Sequence, residues 1–112
     1  MATSQFLTNA KKRLSKSKEI LEVDIEDAYC KHAKKRKCLA IKLIFLRKKG
    51  FPDRTTLCSG GRILFIEFKR AGKKQSPVQI IIMECLRSFG FEYHVCDKIG
   101  QAEDILDSFL NK

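Results

Sequence analysis

Thr55-Thr56-Leu57-Cys58-Ser59, Gly60-Gly61 and Arg62-Ile63-Leu64-Phe65-Ile66-Glu67-Phe68-Lys69 form the stretch that decides the fold. Two runs rich in β-branched and aromatic residues flank a glycine pair that tolerates the positive φ angles of a two-residue hairpin turn. They are therefore expected to be adjacent antiparallel strands. Residues two apart along a strand share a face, so Leu64, Ile66 and Phe68 point one way while Glu67 and Lys69 project together the other way. A carboxylate and an ammonium inside an apolar strand cost on the order of several kcal/mol per ion before partial repayment. That cost calls for a task that needs both charges.

Downstream, Ser76-Pro77-Val78-Gln79 has the makings of a helix start: a serine N-cap, a proline at the first helical position and a glutamine three residues after the cap. The helix should run to about Phe89 and be closed by Gly90. Phe91 to Cys96 reads as a further strand, and Gly100 to Leu110 carries Ala102, Ile105, Leu106, Phe109 and Leu110 at helical spacing. Upstream, Leu21, Ile25, Ala28, Tyr29, His32 and Ala33 recur at helical spacing between Glu19 and about Arg36. Cys38 to Leu46 reads as a strand broken only by Lys42, and Arg47 to Pro52 as a loop. The order αβββαβα, with antiparallel strands followed by a helical crossover, implies one α/β domain. It should hold a single mixed β-sheet flanked by helices that cover its apolar faces.

The chain has 112 residues, enough for one core. With 44% apolar and 32% charged residues it is neither a disordered nor a membrane-spanning composition. Neither a bilayer-spanning run nor a secretory leader is visible, so the protein is expected to remain in the cytoplasm where it is made. Five scattered cysteines read as reduced thiols, and Cys30, His32 and Cys38 lack the second Cys/His pair of a zinc finger. The net charge of +10 points to a polyanion. Residues 1–50 hold 14 Lys or Arg against 5 Asp or Glu, whereas residues 51–112 hold 9 against 8. Residues 1–18 have little to bury and are expected to form a basic, mobile N-terminal arm before a domain over 19–112. Lys34, Lys35, Arg36 and Lys37, in the last turn of the first helix, suit both the helix dipole and a phosphate backbone.

Asp53, in Gly50-Phe51-Pro52-Asp53, starts the strand that the hairpin folds back beside Glu67. Two converging carboxylates are hard oxygen donors of the kind that Mg²⁺ or Mn²⁺ takes alongside water and substrate phosphate. A metal held there polarises a phosphodiester and acidifies a bound water, while Lys69 orients that water or balances developing charge.

Pro52-Asp53, thirteen residues and then Glu67-Phe68-Lys69 resembles the PD-(D/E)XK motif of restriction-endonuclease-like nucleases, whose core order αβββαβ is also the one read here. The longer pattern resembles the VRR-NUC family within that superfamily: Gly50-Phe51-Pro52-Asp53-Arg54, Gly60-Gly61, Phe65-Ile66-Glu67-Phe68-Lys69-Arg70 and Ser76-Pro77-Val78-Gln79. The resemblance spans about Glu22 to Cys96. It implies a Mg²⁺- or Mn²⁺-dependent, structure-selective DNA endonuclease, of a kind whose small stand-alone members are typically viral homodimers acting on branched DNA such as four-way (Holliday) junctions. Flaps and other DNA structures are alternative substrates. Carried over, Asp53 and Glu67 would be metal ligands and Lys69 the catalytic lysine.

The family also places a glutamate on the first helix. Glu22 and Glu26 both qualify, one turn apart; Glu22, three residues before Ile25, is preferred as a third ligand. Gln79 matches a family glutamine in the active site, although it also fits a capping box with Ser76. Lys42, Arg54, Arg70, Lys73 and Lys74 are phosphate-contact candidates, and His32 and His94 are given no role. The competing readings are a non-catalytic DNA-binding module of the same fold and a basic structural or RNA-associated protein in which Asp53, Glu67 and Lys69 form an ion network. A dimer would draw on the C-terminal helix or the N-terminal arm. If the resemblance extends to source, the protein acts in the cytoplasm of a bacteriophage host.

Overall fold

A computed structural model describes residues 21–43 and 49–112. The expected N-terminal arm and residues 44–46 of the expected first strand lie outside the described residues. Helix α1 (Glu22–Lys35) leads into strand β1 (Leu39–Ile41). Strands β2 (Arg54–Cys58) and β3 (Arg62–Phe68) follow, then helix α2 (Pro77–Ser88), strand β4 (Glu92–Cys96) and helix α3 (Gln101–Leu110). The described elements keep the order read from the sequence. They form an open, mixed four-stranded sheet in the order β1-β2-β3-β4, antiparallel except for the parallel β3–β4 pair.

Local chemistry accounts for the helix ends. Glu22 and Asp24 lie in the first turn of α1 and His32, Lys34 and Lys35 in its last, matching the helix dipole at both ends. The helix closes with Lys37 at φ 61°, a left-handed conformation rare outside glycine, with Cys38 N–H donating to the Ala33 carbonyl at 2.9 Å. At α2 the capping box is complete, and Gly90 (φ 94°) supplies the left-handed residue of the same closing motif.

Two boundaries differ from expectation. β1 stops at Ile41, where its pairing with Thr55 ends; Lys42 and Leu43 lie outside the strand despite the apolar run. The β2–β3 connection takes three residues, Ser59–Gly61, because Cys58 pairs with Arg62 and leaves Ser59 outside the strand. Gly60 and Gly61 take positive φ there, as expected.

Helices α1 and α3 cover one face of the sheet. Ile25, Tyr29 and Ala33 of α1 meet Leu64, Ile66 and Phe68 of β3 and Ala102, Leu106 and Phe109 of α3. Each large side chain fully buried there contributes about 1.5–3 kcal/mol. Tyr29 is buried with its hydroxyl 2.6 Å from the Thr56 hydroxyl, and burial pushes its pKa up. The apolar stripe of the C-terminal helix is thus consumed by the core.

The opposite face is covered sparsely. Phe65 packs edge-on against Phe51 and Phe91, with ring centroids 5.7 and 5.3 Å away, while α2 rests mainly on β4 and contains no buried residue. Val78, Ile81, Cys85 and Phe89 make an outward stripe along α2, with Ile81 63% and Phe89 70% exposed. Gly50 lies against the start of this helix: a Cβ there would come 2.7 Å from Val78 Cγ1 and 3.0 Å from the Val78 carbonyl carbon. That close approach, together with φ 90°, requires glycine and seats the loop carrying Pro52 and Asp53.

Candidate active site

Antiparallel register sets Arg54 opposite Ile66, so Asp53, one residue earlier, arrives beside the end of β3. Its Oδ2 accepts the Phe68 N–H at 2.8 Å, which pins the carboxylate to the strand carrying Glu67 and Lys69. Glu67 is fully buried. Its Oε1 accepts a 2.7 Å hydrogen bond from the Tyr93 hydroxyl, while Oε2 is buried without a hydrogen-bond partner among the described residues and stands 4.0 Å from Lys69 Nζ. The Lys69 backbone N–H donates to the Cys96 carbonyl at 2.8 Å, extending the parallel pairing just past the strand and holding the base of that side chain. Burial pushes the Glu67 pKa up, against the opposing pull of the Tyr93 hydrogen bond and the Lys69 charge.

The two helix glutamates part company. Glu22, in the first turn of α1, has its pKa raised by burial and then by the charge of Asp53; Lys69 opposes the shift, and Glu26 and then Glu67 add to it more weakly. It therefore lies within the field of Asp53, Lys69 and Glu67. Glu26, one turn on, is buried against Arg54, whose Nε donates to Glu26 Oε2 at 2.7 Å; Lys42 Nζ stands 3.9 Å from the same oxygen. Arg54 also reaches the Ala40 carbonyl. Arg54 is thereby drawn into the α1–β1 junction, and Lys42 lies beside Glu26.

A cleft of about 530 Å³ opens beside Lys69, lined by Leu21, Glu22, Val23, Arg70, Lys73 and Lys74. Four cations and one carboxylate on such a wall suit a phosphodiester backbone running past Lys69. Lys34, Lys35, Arg36 and Lys37 occupy the far end of α1, about 18 Å from Glu22 at the helical rise per residue. Arg36 there donates to Asp107, which also meets His32 at 2.8 Å, so this cluster ties α1 to α3 as well as presenting charge. His94 pairs with Glu92 at 2.9 Å.

Gln79 sits in the capping box: its Oε1 accepts the Ser76 N–H at 2.8 Å and its own N–H donates to Ser76 Oγ at 3.2 Å. Two residues not singled out in the sequence lie closer to Glu67. One is Tyr93. The other is Gln75, which lies against both Glu67 and Tyr93 and lowers the pKa of each, although its Nε2 is buried without an aligned acceptor. The available signal for Tyr93 was the alternation of Phe91, Tyr93 and Val95 on a strand parallel to β3; Gln75 carried none.

The donor set suits a hard divalent cation. Among the described residues, no three carboxylate, imidazole or thiol groups stand close enough to enclose a metal as they are. The fit rests instead on the buried Glu67 Oε2, which accepts no hydrogen bond among the described residues, stands 4.0 Å from the Lys69 ammonium and shares the electrostatic field of Asp53 and Glu22. A buried carboxylate oxygen that accepts no hydrogen bond among the described residues is costly, and a cation is a partner its charge calls for.

No family model matches the chain. A protein named "Putative nuclease p44" from Acyrthosiphon pisum secondary endosymbiont phage 1 is 31% identical to it over 78 residues, which is 70% of this chain and 84% of that protein. A solved structure described as a VRR_NUC domain superposes with a TM-score of 0.72 at 22% identity, covering 79% of this chain and 96% of its own. The relationship in sequence and the shared fold agree with the Pro52-Asp53 and Glu67-Phe68-Lys69 motif on its strands. The chain belongs to the family of this phage nuclease, on the fold of the VRR_NUC domain.

Proposed function

We propose that this protein is a Mg²⁺- or Mn²⁺-dependent DNA endonuclease that hydrolyses phosphodiester bonds in branched DNA, four-way junctions foremost. The observation that carries the reading is Glu67: a buried carboxylate with one oxygen held by Tyr93 and the other accepting no hydrogen bond among the described residues, 4.0 Å from Lys69, whose side chain lines a basic cleft. Uncompensated carboxylates repel DNA, so a protein that only binds DNA has no use for this arrangement.

Asp53, Glu67 and Glu22 are the residues that would hold the cation, and a metal bound there supplies a Lewis acid for the phosphoryl oxygens and an acidified water. Lys69 then has two tasks open to a lone ammonium in this position: holding the attacking water by hydrogen bonding and balancing charge that grows on the phosphate. Hydrolysis forms a bond from the water oxygen to phosphorus, breaks a phosphorus–ester oxygen bond, and leaves a proton for the departing oxygen. Arg70, Lys73 and Lys74 bind and orient the strand in the cleft, and Lys34, Lys35, Arg36 and Lys37 offer a second basic surface for another arm. The preference for branched DNA draws on the family resemblance, and two basic regions at opposite ends of α1 support it. Gln79 completes the capping box with Ser76 at the start of α2.

Two cuts in a symmetric junction need two sites, so the active species is a homodimer. The outward stripe on α2 suits an isologous contact with a second copy, because the apolar stripe of α3 is already buried. Sedimentation of the wild type beside Ile81→Asp tests this: a dimer turned monomer supports it, and an unchanged dimer moves the contact elsewhere.

The deciding experiment compares labelled four-way junction, flap and linear duplex with Mg²⁺, Mn²⁺ or EDTA, using wild type and Lys69→Ala. Metal-dependent cutting of the junction, lost in the variant, supports the whole reading. Preferential cutting of the flap would change the substrate and keep the enzyme class. Binding without cutting under every condition would replace the enzyme by a binding module.

A further inference from the structure

Glu67 is oriented by a side chain from the neighbouring parallel strand. Tyr93 stands opposite Phe65 in the β3–β4 register, and strand alternation puts its ring on the face that carries Glu67, two residues further along. The phenol reaches along the strand to Glu67 Oε1, with both residues almost wholly buried. The ring has little freedom to move. Phe65 lies 6.5 Å from it between centroids, and the Arg87 guanidinium stands 5.8 Å from its centre while donating to the Tyr93 carbonyl at 2.8 Å. A donor held this way fixes the plane of the carboxylate it touches. Gln75, from the segment after β3, acts on both Glu67 and Tyr93, and its buried Nε2 lacks an aligned acceptor among the described residues.

On the basis of the functional reading above, we infer that Tyr93, assisted by Gln75, is a positioning residue for the cation: its hydroxyl occupies Oε1 and so presents Oε2 of Glu67 as a single preoriented ligand atom. Without that hydrogen bond the carboxylate rotates, its two oxygens become equivalent, and part of the binding free energy is lost to ordering. Outer partners of ligating carboxylates typically matter at the level of about 10–100-fold in metal affinity. A purely structural hydrogen bond would satisfy the phenol without accounting for a second, buried oxygen that accepts no hydrogen bond among the described residues.

The test is direct binding of Mn²⁺ to the full chain, read by electron paramagnetic resonance, for wild type, Tyr93→Phe, Gln75→Leu and Glu67→Gln, each with a thermal melt in EDTA. Tyr93→Phe keeps the packed ring, and the expected result is about tenfold weaker Mn²⁺ binding at a near-wild-type melting temperature. The half-saturating Mn²⁺ for cleavage should rise with it, and most of the turnover should return at saturating metal. Gln75→Leu should weaken binding by a smaller factor, and it carries the test if Tyr93→Phe does not fold. Wild-type affinity in Tyr93→Phe, or in a folded Gln75→Leu standing in for it, overturns the inference alone, provided Glu67→Gln has lost the metal. A wild type that takes up no Mn²⁺, or a Glu67→Gln chain that binds it normally, overturns the site reading and this inference together.

Discussion

Glu22 and Glu26 lie one turn apart on α1, and exchanging each for alanine should produce opposite phenotypes. Glu26 accepts a 2.7 Å hydrogen bond from Arg54 Nε, with the two side chains 11% and 22% exposed. Removing one partner of a fully buried pair costs about 3–5 kcal/mol, and a hydrogen bond to a charged group is worth about 1.5–3 kcal/mol. Arg54 keeps the Ala40 carbonyl and some water, so the cost should fall near the lower end, at about 2 kcal/mol. For a domain of this size that lowers the melting temperature by about 10 °C. Glu22 differs because burial and the Asp53 charge raise its pKa. A carboxyl group whose pKa is raised by folding favours the folded state below its unfolded pKa, and that contribution is lost as pH rises through the folded value. At neutral pH its removal therefore costs no electrostatic stability. Glu22→Ala should melt at or slightly above the wild-type temperature and lose metal-dependent nicking of a labelled junction, whereas Glu26→Ala should melt early and nick normally while folded. Thermal melts by circular dichroism and a nicking assay well below both melting temperatures read the two effects separately. A stable but inactive Glu26→Ala beside a destabilised Glu22→Ala would reverse the two roles.

Glu67→Gln should be more stable than wild type near neutral pH in EDTA, because burial raises the Glu67 pKa and the ionised form opposes folding there. The gain should shrink as pH falls towards about 4, where the unfolded carboxyl group also protonates; melts across that range check it, and a less stable variant at neutral pH contradicts it. Replacing both Lys73 and Lys74 with Gln should weaken DNA binding and reduce the slope of log affinity against log salt by about 2, read from titrations at several salt concentrations. An unchanged slope would move the strand out of the cleft. Gln79→Ala removes one side of the capping box and should cost about 1 kcal/mol in a urea unfolding curve. Lost cleavage with unchanged stability would instead give Gln79 a direct part in the chemistry.

Short-range rules made much of the architecture legible. Alternation in Leu64, Ile66 and Phe68 against Glu67 and Lys69 placed the core on one face of β3 and the charges on the other. Ser76-Pro77-Val78-Gln79 encoded the start of α2, and Gly60-Gly61 the reversal between β2 and β3, although the turn takes three residues because pairing begins at Cys58 and Arg62. The first strand was harder to delimit. An apolar run continues past Ile41, but its described pairing with β2 ends at Thr55, and hydropathy alone does not report where a partner strand runs out.

By itself the sequence determined the order of elements, the face each strand turns inward and the meeting of Asp53 with Glu67, since these follow from periods of 2 and 3.6 residues, capping chemistry and one tight reversal. Tertiary structure set the two glutamates of α1 apart. Both glutamates lie on one side of the helix, and only the docking of α1 on the sheet brings Arg54, 28 residues away, to Glu26 and leaves Glu22 in the field of Asp53 and Lys69. It also delivered Tyr93 to Glu67 across the parallel β3–β4 pair and left the apolar stripe of α2 uncovered. The physical reason is range: backbone preferences act over a few residues, whereas a charge or a hydroxyl finds its partner only after packing has set the distance between distant segments.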